Sequence, residues 1–449
     1  MLELYPHTPD DVIAKLTCRP WVVPKVADVV IVGGGIMGAA SAYYLSKIGL
    51  KVVLIEKNRI AGQQSGRNWG FVRTQYRDPN EVSLSIEALS LWPALATELG
   101  YETGWLQNGC IFLAKDQDEE GRFEQWYKQT KDLAQDARLV PASQVRKLLP
   151  SLNANFVSAL YTPSDGQAEP VLATTAFARA AEGRGVQILE GCGVLNILTA
   201  GGAVSGVLTE YGEIQTKAVV CAAGSSSYRL LEKLDLFLPQ QIVCSTVSIT
   251  KAIPKISEIC LVGLGLGLRQ RPDGSCIIAA EGEVDHDVTL DSFRGLRHFL
   301  PGFLAHRSTC SLRIGRALVS DIGARLCGEG NSRVIQPRRP KIIPNNKRAS
   351  KSASLLKNMF EMAGQVSISK TWAGQIDVLP DALPVIDAPT EVSGLVIATG
   401  FSGHGFGVAP AVGKITANLV SGAAPLVSLE NFRLDRFRLG NYGRPHAPL

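Results

Sequence analysis

At 449 residues, 45% of them hydrophobic, the chain can bury a large core, and two domains are expected. A formal net charge of +5 is small for this length, and no aromatic–basic interleaving or zinc-finger spacing marks a nucleic-acid binder. The nine cysteines are scattered, without Cys-x-x-Cys or histidine clusters, which argues against iron–sulfur, zinc or other metal sites and fits reduced thiols in a cytoplasmic protein.

Residues 1–27, with Pro6, Pro9, Pro20 and Pro24, are expected to form an irregular arm, and their acids and lack of a long apolar region leave no signal peptide. No apolar run anywhere reaches the ~18–20 residues of a membrane span. Next comes Val29-Val30-Ile31-Val32, a buried parallel strand by its unbroken apolar run. It leads through Gly33-Gly34-Gly35-Ile36-Met37-Gly38 into a small-residue helix, then into Val52-Val53-Leu54-Ile55 and Glu56. Strand, glycine turn, helix, strand and acid in that order form a dinucleotide-binding fingerprint. Gly33 permits the tight turn, Gly35 the approach of a pyrophosphate and Gly38 close helix–strand packing. The helix N-terminus, with Ile36 and Met37, offers free N–H groups to phosphate. Glu56, followed by Lys57, lies where a carboxylate accepts from ribose hydroxyls.

The stretch 61–73 follows, containing Gln64, Ser65, Arg67, Asn68, Trp69, Gly70, Phe71 and Arg73. Trp69 and Phe71 would be oddly exposed in a bland surface loop, so it is read as lining the cofactor. An amphipathic helix over 80–100, a short strand at 109–113 and a surface helix within 116–138 begin a second, inserted domain. From Ala159 the chain is expected to return to the first domain, through a helix near 173–181, a strand at 186–189 and a three-stranded meander over 194–216. Strands ending in glycine occur at 218–224, closing on Ala223 and Gly224, and at 394–400. Residues 240–330, short apolar runs between glycine turns, predict an antiparallel sheet. Residues 331–360 hold eight cations and three prolines without a single acid, and are expected to be a solvated, mobile surface loop. The last block runs from Trp372 and Gly374 to Gly400-Phe401-Ser402-Gly403-His404-Gly405-Phe406-Gly407, where a second glycine turn opens a helix over 408–420. The tail after Pro425 reads as polar and featureless.

Four pieces in this order resemble the flavin-dependent D-amino-acid oxidase, glycine oxidase and sarcosine oxidase family: 32–38 with Glu56, 166–194, 220–224, and 372–405. The resemblance implies an α/β Rossmann-like FAD-binding domain with a parallel sheet, built from 28–78, 155–235 and 370–425. It implies an α+β substrate domain with a mostly antiparallel sheet, built from 79–154 and 236–369, leaving 426–449 as tail. It also implies that the backbone of Val194 holds the adenine and that the 65–71 loop passes the flavin ring, as in amino-acid and opine oxidases or dehydrogenases. Glycine-oxidase-like members carry a carboxylate-binding arginine just after Ala373-Gly374, but here the chain reads Gln375-Ile376-Asp377. Sarcosine-oxidase-like members have one where Arg73 stands, so Arg73 becomes the expected anchor, with Arg67 and Arg313 as competitors and a structural pairing to Asp78 as the alternative. Trp372 and His404 are the other residues placed at the reacting centre, His404 lining the flavin. No histidine or cysteine matches a covalent tether, so noncovalent FAD is expected. The resulting expectation is oxidation of a carbon–nitrogen bond in a small amino-acid-like substrate, with oxygen, quinone or a partner protein taking the electrons. The alternative is a flavin-bearing subunit or assembly factor with little activity alone. A homo- or hetero-oligomer is compatible with either.

Overall fold

The computed structural model describes residues 22–446 apart from 135, 306–308, 327–331, 336 and 365. Most of the expected N-terminal arm, 1–21, therefore lies outside the described residues. Two sheets dominate. In the six-stranded one the order is Val385–Asp387, Leu395–Thr399, Ala218–Cys221, Val29–Val32, Val52–Glu56, Gln187–Glu190. Every pair is parallel except the first. Val29–Val32 is buried along its length, because alternate residues enter two different cores. Val29 and Ile31 face the helices Ile36–Lys47, Pro170–Gly183 and Gly405–Ser421, while Val30 and Val32 face the meander Val194–Gln215 side. The first and last of these helices pack closely: a Cβ on Gly413 would lie 2.8 Å from the Ala40 Cβ.

The ten-stranded sheet is built largely of antiparallel pairs, with Gln241–Thr250 as its spine. Ile368–Val378 runs antiparallel to that spine over nearly its full length. Parallel pairs join Cys260–Gly263 to Cys110–Ala114 and Val284–Asp287 to Cys310–Arg313.

Four expectations need correction. Ser158–Thr162, expected to open the return to the first domain, instead pairs with Cys110–Ala114 in the ten-stranded sheet. Ile368–Val378 likewise crosses the boundary drawn at 370 yet belongs wholly to that sheet. An apolar run signals burial without naming the sheet that supplies it. The third correction concerns 331–360. It contains the helix Asn346–Met359, capped by the Asn345 side chain, which accepts from the Lys347 N–H at 3.1 Å. Ala349, Ser352, Leu356 and Met359 recur at helical spacing and are buried, while Lys347 and Lys351 stay exposed. The charge count concealed that period. Finally, the tail packs: Phe432, Leu434 and Phe437 are buried, and Arg436 Nε lies 2.8 Å from Asp381 Oδ2.

Candidate active site

A single cavity of about 1380 Å³ runs from the first glycine turn into the space under the ten-stranded sheet. At one end the backbone is shaped for close approach. Gly33 has φ +113°, and a Cβ there would sit 2.3 Å from the Ala222 carbonyl oxygen; one on Gly38 would sit 1.9 Å from that of Gly33. Gly35 instead meets only Ser65 Oγ, at 3.0 Å, so its outer face opens to the cavity. The Ile36 N–H donates to the same Ser65 Oγ at 2.8 Å. Glu56 closes the turn, accepting from the Gly34 N–H at 2.7 Å and the Asn58 N–H at 2.8 Å. Burial pushes its carboxyl up, against those two bonds. Lys57 Nζ donates to Ser226 Oγ at 2.9 Å and is lowered to about 8 by burial.

Midway, Asp377 accepts from the Gly400 N–H (3.0 Å) and Gln240 Nε2 (2.9 Å), while burial raises its carboxyl to about 6. The turn Ser402–Gly403 has positive φ at both residues and delivers His404 to the start of helix Gly405–Ser421. His404 Nδ1 lies 3.4 Å from Glu81 Oε2. Burial, then the charge of Arg77, depress its imidazole to about 4, so it is neutral at neutral pH.

The 64–77 loop forms the facing wall. Asn68 Oδ1 accepts from the Gly70 N–H at 2.8 Å, and the Trp69 and Phe71 rings meet edge-on with centroids 5.7 Å apart. Trp69 lies so close to strand Leu266–Gln270 that a Cβ on Gly267 would be 2.1 Å from its ring. Behind it Arg269 binds the Trp69 carbonyl, and Arg269 and Arg271 share Glu169. Arg73 lies over the Phe112 ring, 5.0 Å from its centroid, and donates to the Gln75 carbonyl. Burial and then Arg77 bring its guanidinium down to about 9. Asp78, offered as a structural partner for Arg73, instead caps helix Pro79–Leu99.

Of the residues read from the sequence, Gly33, Gly35, Ile36, Met37, Glu56, Lys57, Gln64, Ser65, Asn68, Trp69, Gly70, Phe71, Arg73, Ala223, Gly224, Gly374, Phe401, Gly403, His404, Gly405 and Phe406 line the cavity. Gly38, Val194, Trp372, Gly400 and Gly407 do not. Trp372, expected at the reacting centre, sits one layer back, its Nε1 donating to the Arg67 carbonyl at 3.1 Å. Val194, expected to hold the adenine, is buried where strand Val194–Ala200 begins. Arg313, a competing anchor, is paired with Asp287 at 2.7 Å outside the wall, whereas Arg67 lies in it. Sequence reasoning missed Arg77, Gln240, Asp377, Tyr228 and His286, all in the wall. Only Arg77 carried a signal, being four residues beyond Arg73.

The chain matches the family described as DAO, FAD dependent oxidoreductase, over residues 28–419. It is 27% identical over 420 residues to the sarcosine oxidase subunit beta of Rhizobium meliloti (strain 1021), covering 92% of this chain and 89% of that one. Human mitochondrial sarcosine dehydrogenase is 32% identical over 224 residues, 47% of this chain but 24% of that protein. Among solved structures, the L-amino acid deaminase of Proteus myxofaciens in complex with anthranilate superposes with a TM-score of 0.87 at 26% identity, covering 94% and 96% of the two chains. The chain belongs to the DAO family of FAD-dependent oxidoreductases. Its cofactor is FAD, and the open Gly35 face beside a helix N-terminus fits the pyrophosphate of that dinucleotide. Among the described residues no cluster could hold a metal ion, and no helix is long and apolar enough to cross a membrane.

Proposed function

We propose that the chain oxidises the carbon–nitrogen bond of a small amino acid or N-substituted amino acid, with FAD bound noncovalently and Arg73 as carboxylate anchor. The observation that carries this reading is Arg73 itself: a guanidinium in the cavity wall, over the Phe112 ring, with no ion pair among the described residues. Its fork matches a carboxylate with two parallel hydrogen bonds. When bound, FAD would supply the two-electron oxidation, as acceptor of a hydride from the carbon that bears nitrogen. The protein's part is placement and electrostatics. Trp69, Phe71 and Phe112 exclude water; the N-terminus of Gly405–Ser421 aims N–H groups and positive dipole into the cavity; His404 stays neutral beside them. The wall thiol, Cys244, is raised to about 12 by burial, a poor nucleophile for a flavin tether. The substrates named for the sarcosine and L-amino acid relatives support the same class.

Arg73→Ala tests the reading. It should lower kcat/KM by about 30- to 1000-fold, or roughly 2–4 kcal/mol, with Arg73→Lys already impaired because the fork is lost. An amine lacking the carboxylate should feel the change little; equal loss on both substrates, or loss of FAD, would make Arg73 a structural residue. A second reading, a flavin-bearing subunit of a heteromer, is favoured by the exposed Leu296, Leu300 and Leu304 along helix Leu296–Ala305. Protein that stays unbleached by every amino acid until a partner is added would favour it.

A further inference from the structure

Five arginines are buried among the described residues, and four of them, Arg269, Arg271, Arg348 and Arg436, are paired with carboxylates. Arg77 is the exception. It is 3% exposed, has no ion pair among the described residues, and its Nη1 has no hydrogen-bond partner. Its Nε reaches only the Arg73 carbonyl, at 3.4 Å. The acids that act on it, Glu81 first and then Asp165, do so through space, without a hydrogen bond or ion pair to it. Glu81 Oε2 lies 3.4 Å from Nδ1 of the neutral His404, and Asp165 is taken up by the Thr74 and Gln75 N–H groups. A buried guanidinium with an unpartnered Nη1, one long hydrogen bond and no ion pair is costly, and an anionic ligand would relieve that cost.

Arg77 lines the same cavity as Arg73. The turn that carries both is held rigidly. Asp165 accepts from the Thr74 N–H (2.7 Å), Thr74 Oγ1 (2.9 Å) and Gln75 N–H (3.1 Å), and Trp126 Nε1 donates to the Arg77 carbonyl at 2.6 Å. Tyr76 is forced to φ +52°, a strained conformation for a tyrosine, and this folds residue 77 back towards 73. Two guanidinia carried by one turn in the cavity wall, neither of them forked to an acid, make a receptor for two negative charges.

We propose that the substrate carries two carboxylates: an amino acid with a second acid group, on its side chain or on its nitrogen, Arg73 holding one and Arg77 the other. This rests on the amino-acid oxidation reading above. The test uses the FAD-loaded protein under anaerobic conditions, with flavin bleaching as readout. Matched pairs decide it: glutamate and aspartate against glutamine and asparagine in both enantiomers, and N-carboxymethyl against N-methyl amino acids. The diacid of at least one pair should have kcat/KM about 30-fold or more above its partner. Arg77→Gln should cut that ratio at least tenfold, mainly through KM, and Arg77→Lys should restore part of it. Equal or better use of the monoacids, or a ratio untouched in Arg77→Gln, overturns the inference while leaving amino-acid oxidation in place. No bleaching by any amino acid overturns the reading beneath it. Should the variants fail to fold, the wild type still decides: glutarate should perturb the flavin spectrum at far lower concentration than butyrate, and equal potency would refute the second site.

Discussion

Replacing Glu169 by glutamine should be among the most damaging single changes to this chain. The carboxylate, 3% exposed, accepts from Arg269 Nη1 at 2.7 Å and Arg271 Nε at 3.0 Å. Burial alone would raise its carboxyl, and the two arginines more than reverse this, holding it below the usual range. Arg269 also donates to Gln167 Oε1 at 2.9 Å and to the Trp69 carbonyl. The cluster therefore ties strand Leu266–Gln270 to the start of helix Pro170–Gly183 and to the loop facing the cavity. Glutamine preserves shape but leaves two buried guanidinia uncompensated, a loss of about 3–5 kcal/mol. Urea unfolding of the apoprotein, followed by tryptophan fluorescence, should show a lower midpoint, and the folded variant should hold FAD less tightly because Trp69 loses its support. Adding Arg271→Met should recover part of the loss by removing one stranded charge. A shift below about 1 kcal/mol, or no recovery in the double variant, would refute the view that Glu169 neutralises both arginines.

Leu356→Ala, at a fully buried position of helix Asn346–Met359, should cost about 2–5 kcal/mol. Trypsin should spare Lys347, Lys351 and Lys357 in the native wild type; rapid cleavage there would restore the mobile-loop reading. His404 makes a pH prediction. Its folded value near 4, below the ordinary 6.5, gives stability that is present above 6.5 and lost as pH falls towards 4, on the order of 3 kcal/mol. Wild-type apoprotein should lose that much more than His404→Gln between pH 7 and pH 4, and parallel curves would refute it. Asp165 and Asp377, both raised to about 6, act in the opposite sense, losing their contribution as pH rises through 6, but they cancel between the two proteins.

The nucleotide end was legible because its signals are local. Gly33, Gly35, Gly38 and Glu56 fall within one strand–helix–strand unit, and each spacing has a backbone reason that survives any tertiary context. The long helix Pro79–Leu99 was legible for the same cause, ending at Gly100 in the left-handed conformation. Sheet membership was not legible. Ser158–Thr162 and Ile368–Val378 are apolar strands whose partners lie far away in sequence, and the pairing, not the composition, decides the layer. In Asn346–Met359 the cations equal in number the four small or apolar residues at helical spacing that mark its buried face, and one cation, Arg348, is itself buried and paired with Asp285 at 3.1 Å. Asp377 and Gln240 were invisible because they meet across 137 residues.

The four buried arginines that are paired with carboxylates lie outside the cavity. Arg269 and Arg271 with Glu169, Arg348 with Asp285, and Arg436 with Asp381 each join segments distant in sequence, and none of these residues reaches the cavity wall. Such pairs hold geometry, since removing either partner strands the other. Arg73, Arg77 and His404 reverse the pattern: all three line the cavity, and none of them closes a fork with an acid. If these groups were purely structural, pairing each with an acid, as Arg269, Arg271, Arg348 and Arg436 are paired, would stabilise the fold. An incoming anion would relieve the mutual repulsion of the two guanidinia and bind the folded chain alone. Ligand affinity and fold stability are then linked, so a diacid that fits should raise the unfolding midpoint in proportion to the logarithm of its concentration.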